Sequence, residues 1–158
     1  MRGEPVRWGF LGAGWIASRA MAPAVHNAQG AVLEAVASRS PERSRSLEPG
    51  RVHDSYENLL DDPDVDVVYI SLRNGQHREW VERALAAGKH VLCEKPLGLD
   101  AAEVRSMFAT ASRHERLLVE AVWAQWNPRF VRMINLARSG ALGALTRIDS
   151  SFTFTSDT

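Results

Sequence analysis

Val6-Arg7-Trp8-Gly9-Phe10-Leu11-Gly12-Ala13-Gly14-Trp15-Ile16-Ala17 is the stretch that decides the fold. Val6 to Leu11 is a short apolar run that ends at glycines, which reads as a strand. Ile16 to Ala28 is amphipathic and is stopped by Gly30, which reads as a helix. Between them Gly12 to Ala17 spells G-x-G-x-x-A. After a strand and before a helix, the first glycine makes the tight turn. The second lets the backbone approach a pyrophosphate, and a small third residue lets helix and strand pack closely. Amides at the helix start, with the helix dipole, then hold phosphates. That context favours dinucleotide binding by Gly12, Gly14, Trp15, Ile16 and Ala17. Alternatively, the glycines make a tight turn and nothing more.

Downstream, apolar runs keep alternating with amphipathic stretches. Val32 to Ala37 is the next run. Pro41 suits the first turn of a helix carrying Arg43, Arg45 and Leu47, and Pro49-Gly50 is a turn. Tyr56 to Leu60 reads as a short helix closed by Asp62-Pro63. Val65 to Leu72 is the strongest strand, a continuous run that suits a central parallel strand covered on both faces. A helix from Gln76 to Ala87 stops at Gly88, and His90 to Cys93 is a strand. Asp100 caps a helix from Ala101 to His114, with Glu103 completing a capping box. Leu117 to Val122 is a strand. Asn127 or Pro128 opens a helix reaching Ser139. Leu145 to Thr155 reads as a last strand, with Ile148, Phe152 and Phe154 on one face.

Alternation from residue 6 to about residue 122 predicts an α/β fold. It is a Rossmann-type doubly wound parallel sheet with right-handed crossovers. Residues 1–123 are the expected dinucleotide-binding domain. Residues 124–158 read as the first helix and strand of a second α+β domain that is truncated here, because an apolar strand without a partner is an exposed edge.

Composition narrows the function. Lys and Arg number 19 and so do Asp and Glu, so the chain lacks the basic field of a nucleic-acid binder. A single cysteine, Cys93, excludes an internal disulfide framework and a cysteine-based zinc site. It fits a reducing, cytoplasmic setting. No apolar run approaches the roughly 20 residues of a membrane span, and the acid at Glu4 does not suit a secretory signal. His26, His53, His90 and His114 are scattered without ligand spacing, so no metal site is expected and structural or surface roles suffice.

An acid about 20 residues beyond the glycine loop would bind the adenosine ribose of NAD. Here that place holds Ser38-Arg39-Ser40, with Arg43 beyond. No carboxylate repels a 2′-phosphate, and hydroxyl and guanidinium groups are there to bind one. NADP(H) is therefore preferred over NAD(H). Alternatively, Arg39 and Arg43 are solvated helix-face charges. The stretch Gly88-Lys89-His90-Val91-Leu92-Cys93-Glu94-Lys95-Pro96-Leu97 puts a Glu-Lys pair at the C-terminal end of a buried strand, the edge where ligands bind in open α/β sheets. An ammonium at Lys95 could polarise a carbonyl or stabilise an alkoxide during hydride transfer. Glu94 more naturally orients the turn than serves as an acid. Pro96 stiffens it and is a candidate cis proline. A surface salt bridge is the bland alternative.

Together these stretches resemble the Gfo/Idh/MocA family of NAD(P)-dependent oxidoreductases. Four segments carry the likeness: Gly9 through Ala17; Asp64-Val65-Asp66-Val67-Val68-Tyr69-Ile70-Ser71; Asn74 with His77; and Gly88 through Leu97. The family's loop usually reads Ser/Thr-Thr-Pro-Asn-x-x-His. Here Ser71-Leu72-Arg73-Asn74-Gly75-Gln76-His77 keeps Asn and His but has Arg73 for Pro. The resemblance implies that Lys95 contacts the reacting hydroxyl or carbonyl. It also implies that Ser38 and Arg43 hold the 2′-phosphate, that Ser71 and Asn74 lie by the nicotinamide ribose, and that His77 belongs to the active site. Val119 to Trp123, Asn127-Pro128, and Gly140 to Gly143 leading to Ile148 and Phe152 are most similar to the branch containing dimeric dihydrodiol dehydrogenase and NADP-dependent D-xylose dehydrogenase. In that branch an aromatic at the Trp123 position lines the substrate pocket, with Phe152 a companion candidate. Core packing is the other role open to Trp123. The family's usual second domain is a large, mostly antiparallel sheet that closes the pocket and forms a homo-oligomer interface.

The expected function is thus NADP(H)-dependent oxidoreduction at a CH–OH/C=O group of a sugar-like or diol substrate, with this chain as the cofactor-binding half. No nucleic-acid or membrane partner is expected. A non-catalytic dinucleotide-binding module, acting as a cofactor sensor or partner subunit, is the rival from another class.

Overall fold

Apolar residues in unbroken series are buried only where both faces of a strand are covered. The computed structural model, which describes residues 3–153 and 155, shows that arrangement. Six strands form one sheet: β1 (Val6–Leu11), β2 (Ala31–Ala37), β3 (Arg51–His53), β4 (Val67–Ile70), β5 (His90–Cys93) and β6 (Leu118–Glu120). Their order is β3-β2-β1-β4-β5-β6, and every pairing is parallel. The chain winds outward from β1 to β3, crosses back to β4, and winds outward again. The order therefore reverses between β1 and β4.

Five helices connect the strands: α1 (Ala22–Asn27), α2 (Pro41–Arg45), α3 (Tyr56–Leu60), α4 (Asn74–Ala86) and α5 (Ala101–Arg113). One π-helical turn, Ala17–Met21, leads directly into α1. Successive residues of one strand feed opposite faces. Phe10 and Tyr69 enter the core under α1 and α2 with Ala17, Val25 and Leu47. Leu11, Val68 and Ile70 enter the core under α3, α4 and α5 with Leu59, Val81 and Met107. The alternation confirms the doubly wound reading.

Three local expectations need correction. β3 was not anticipated, because Arg51-Val52-His53 holds one apolar residue between charges. It forms because it lies at the edge beside β2, where short charged strands are normal. The capping box is shifted: Asp100 caps the amides of Ala102 and Glu103 at 2.7 and 2.9 Å, but Glu103 accepts from Leu99 rather than from Asp100 itself. The strand expected over Leu145 to Thr155 does not form among the described residues, and Phe154 lies outside them. β-propensity without a pairing neighbour does not make a strand.

The chain divides into two compact units, Met1–Ala121 and Val122–Thr158. The second holds a 3₁₀ turn, Trp123–Trp126, and α6 (Pro128–Arg138), capped by Asn127 on the amide of Arg129 at 3.0 Å. Among the described residues no helix is long and apolar enough to cross a membrane.

In the first unit, the C-terminal ends of the strands are stitched together one residue beyond the sheet. Gly12 donates to Ala37 O (2.8 Å), Ser71 to Leu11 O (2.9 Å), Glu94 to Ile70 O (2.9 Å) and Ala121 to Cys93 O (2.8 Å). These bonds align the loops after β1, β4, β5 and β6 along one edge.

An ionic network ties together the segments around β3. Arg7 bonds Asp66 (2.9 Å) and Asp64 (3.0 Å), and Arg51 bonds Glu34, Asp62 and Asp64 at 2.8 to 3.1 Å. His53 reaches Asp62 at 2.8 Å, and Lys89 Nζ donates to Asp62 O and Val65 O. Arg7 holds the Asp66 carboxyl below the usual carboxylate range, against burial. Burial pushes Asp62 up, but His53, the Asp64 amide and Arg51 outweigh it and hold it down. A carboxyl depressed in the folded state stabilises fully above its unfolded value of about 4, and that contribution is lost as pH falls through the folded value. Thermal melts should therefore show stability falling below pH 4, and Asp62→Asn should lower Tm at pH 7 while flattening that acid slope. An unchanged slope would remove the network from the account of stability.

Candidate functional site

Gly12 ends β1 with φ +99°, a conformation costly for any residue with a Cβ. A Cβ there would also sit 2.7 Å from Ser71 O and 2.9 Å from Ser71 Oγ, so β1 and the β4 loop meet only because the residue is glycine. Gly14 is the opposite case: a Cβ there would meet nothing within 4 Å. Its missing side chain leaves open space above the loop, as a cradle for a bulky anion requires. Ala17 is fully buried against the sheet with Phe10 and Val36, so it serves packing. Trp15 is 72% exposed and Ile16 is also exposed.

A cleft of about 280 Å³ opens beside this loop. Gly12, Ala13 and Gly14 form one wall. Ser38, Arg39, Ser40 and Arg43 line it from the end of β2 and the start of α2, and Tyr56 from α3. Ser71, Leu72, Arg73 and Gln76 line it from the β4–α4 connection. Among the described residues no acidic side chain lines it. The cleft lies where the strand order reverses, the place where open α/β sheets bind ligands.

The β2–α2 turn presents its two arginines by satisfying its own serines. Ser38 Oγ donates to Ser40 O at 2.8 Å, lies 2.8 Å from Ser44 Oγ, and accepts from the Ser40 amide at 3.2 Å. Ser40 Oγ caps the Arg43 amide at 3.4 Å. The Ser38 hydroxyl is therefore engaged within the turn, where it shapes the loop. Arg39 and Arg43 are exposed, and their guanidinium groups bond no other described residue. Burial pushes the Tyr56 phenol up, and the Arg39 charge opposes it. Tyr56 also meets Trp80 edge-on at 4.9 Å, with Arg83 stacked on Trp80 at 4.2 Å.

The turn after β5 is held from several sides. The Lys95–Pro96 peptide is cis. Buried Tyr69 donates its hydroxyl to Glu94 Oε1 at 2.7 Å. Burial, then the bond to Glu94 and its charge, push the Tyr69 phenol far above its ordinary value, so it stays a donor. Pro96 O lies 2.8 Å from His77 Nδ1, and Leu97 N donates to Glu120 Oε1 at 2.9 Å. Lys95 itself is exposed, with no hydrogen bond or ion pair to another described residue. A braced turn thus offers one free ammonium at the C-terminal edge.

His77 lies inside the fold. Its ring is fully buried, with Nδ1 at Pro96 O and Nε2 3.2 Å from Leu72 O. The ring N–H donates to one of these two carbonyls, and the residue packs between the β4 loop and the Lys95 turn. Cys93 is buried, and burial raises its thiol far above its ordinary value, so it is inert. His53, His26 and His90 have structural partners in Asp62, Leu47 O and the Leu117 amide.

Of the residues expected to hold a cofactor, the structure gathers Gly12, Gly14, Ser38, Arg39, Arg43 and Ser71 around the cleft. Trp15, Ile16, Ala17, Asn74, His77, Glu94 and Lys95 lie outside its lining. Trp123 and Phe152 belong to the second unit, where their rings are 6.4 Å apart. Trp123 is 57% exposed and is not a core residue. Sequence reasoning missed Tyr56, Leu72 and Gln76 as lining residues. Recognising β3 would have brought the start of α3, and so Tyr56, to the same edge.

Comparison with known proteins agrees with this geometry. Residues 6–121 match the Gfo/Idh/MocA family, described as an oxidoreductase family with an NAD-binding Rossmann fold. An uncharacterized oxidoreductase of Rhizobium meliloti is 38% identical over 152 residues, 94% of this chain and 46% of that protein. The trans-1,2-dihydrobenzene-1,2-diol dehydrogenase of Bos taurus is 37% identical over 93% of this chain and 45% of its own length. Among solved structures, KijD10, a 3-ketoreductase from Actinomadura kijaniata in complex with NADP and TDP-benzene, superposes with a TM-score of 0.81 at 35% identity. That match covers 87% of this chain and 43% of KijD10. The chain spans less than half the length of the relatives it matches. The chain belongs to the Gfo/Idh/MocA oxidoreductase family, whose NAD-binding Rossmann domain it contains in residues 6–121.

Proposed function

We propose that the chain is the cofactor-binding half of an NADP(H)-dependent oxidoreductase acting on a CH–OH/C=O carbon of a sugar-like or diol substrate. One observation carries the cofactor choice. Among the described residues, the cleft at the strand-order switch has an open glycine wall, two guanidinium groups after β2 without hydrogen-bond or ion-pair partners, and no carboxylate. A carboxylate there would favour a ribose 2′-hydroxyl, whereas guanidinium groups favour a 2′-phosphate. The bound NADP in KijD10 and the diol named for the Bos taurus relative support the same reading.

Each group then has a task. Gly14 leaves room for the pyrophosphate beside the helix start. Arg39 and Arg43 grip the 2′-phosphate on a turn stiffened by Ser38 and Ser44. When bound, the nicotinamide supplies a hydride donor or acceptor. Lys95 donates a hydrogen bond to the substrate oxygen, stabilising negative charge there and delivering or accepting the proton. Tyr69 fixes Glu94 and His77 fixes Pro96, so the ammonium is held by its turn rather than by a counter-ion. In the full-length form, Trp123 and Phe152 line the substrate side, the second domain closes the pocket, and the protein assembles as a homo-oligomer in the cytoplasm.

Fluorescence titration of the chain with NADPH and NADH tests the cofactor half. NADPH should bind more tightly, and Arg39→Ala with Arg43→Ala should cost NADPH about 10- to 100-fold while leaving NADH nearly unchanged. Equal loss for both cofactors would overturn the 2′-phosphate assignment. Gly14→Val should keep the melting temperature and abolish binding, whereas Gly12→Ala should destabilise the fold by about 1–3 kcal/mol. In a form that turns over, Lys95→Ala should lower kcat by about 10²-fold or more with cofactor affinity intact. Tight NADPH binding with no turnover of any polyol or carbonyl compound would instead favour a non-catalytic dinucleotide-binding module.

A further inference from the structure

Arg73 lines the cleft without a role in the glycine motif or in the 2′-phosphate turn. It precedes α4 with φ −70° and ψ 143°, and its side chain caps no helix amide. Proline, which the family pattern places here, would accept that φ. The backbone therefore gives no reason for arginine. The side chain is exposed and has no hydrogen bond or ion pair with a described residue.

Arg73 brings a third guanidinium group to a cleft of about 280 Å³ already lined by Arg39 and Arg43. Like charges around a concavity that no described carboxylate lines raise the local potential, and a polyanion relieves it. The three cations come from two places. Arg39 and Arg43 follow β2. Arg73 follows β4, two residues after Ser71, whose carbonyl would lie 2.7 Å from a Cβ on Gly12. That wall adjoins the glycine loop rather than the β2 turn. Resting on the dinucleotide-binding reading above, we propose that Arg73 is a binding residue for the cofactor's pyrophosphate, its fork donating to phosphate oxygens from the wall that adjoins the glycine loop. A dinucleotide with a 2′-phosphate carries two anionic groups, and the cleft then holds separate cations for each.

Titration of the wild-type chain, Arg73→Ala and Arg73→Lys with NADPH, NADH and adenosine 2′-monophosphate tests this. Arg73→Ala should weaken NADPH and NADH alike, by about tenfold, and leave adenosine 2′-monophosphate unchanged, because that ligand lacks a pyrophosphate. Arg73→Lys should recover part of the loss, keeping the charge but not the fork. An unchanged melting temperature for each variant keeps folding out of the comparison. Three results would overturn the assignment: no loss for either cofactor, a loss confined to NADPH, or an equal loss for adenosine 2′-monophosphate. A wild-type chain that binds none of the three ligands would overturn the dinucleotide reading itself.

Discussion

Four backbone hydrogen bonds just past the strand ends, from Gly12, Ser71, Glu94 and Ala121, hold the rest of the arrangement in place. Parallel strands have their C-terminal ends at one edge, but shared direction alone does not fix loops to within an ångström. These bonds extend the ladder by one residue, so each loop leaves the sheet in register with its neighbour. Gly12 is the tightest point. Its positive φ and its approach to Ser71 permit no side chain, so the β1 turn and the β4 loop meet as bare backbone.

Two different electrostatic strategies occupy the first unit. Around β3, charges are paired: arginines, aspartates and His53 satisfy one another, and Lys89 is spent on two carbonyls. At the C-terminal edge, Arg39, Arg43, Arg73 and Lys95 have no partner among the described residues. Polar groups close behind them have internal partners: Ser38 in Ser40 and Ser44, Glu94 in Tyr69, His77 in a backbone carbonyl. Free cations on satisfied supports are what a site for an anionic ligand needs, because the ligand then completes the pairing without first breaking internal bonds.

The fold was legible wherever burial alone sets the pattern. Val65 to Leu72 and Val6 to Leu11 are covered on both faces, so their unbroken apolar runs name them as central strands. Arg51-Val52-His53 escaped because an edge strand can be charged. Leu145 to Thr155 alternates as a strand does but is not one among the described residues, because alternation becomes a strand only with a partner to pair with. Among site residues, the glycines and the arginines after β2 could be found because local spacing places them. His77 could not be assigned its tethering role, since its partner Pro96 is 19 residues away, nor Tyr69, whose partner Glu94 is 25 away. Such roles arise only when separate loops are brought to one edge.

Mapping amide chemical-shift changes in the chain on addition of NADPH tests most directly whether that edge is the binding site. The account predicts changes at residues 12–16, 38–44 and 71–76, with the amides of 51–53 and 62–66 unmoved. Changes centred on the latter segments, or none at the glycine loop, would contradict it.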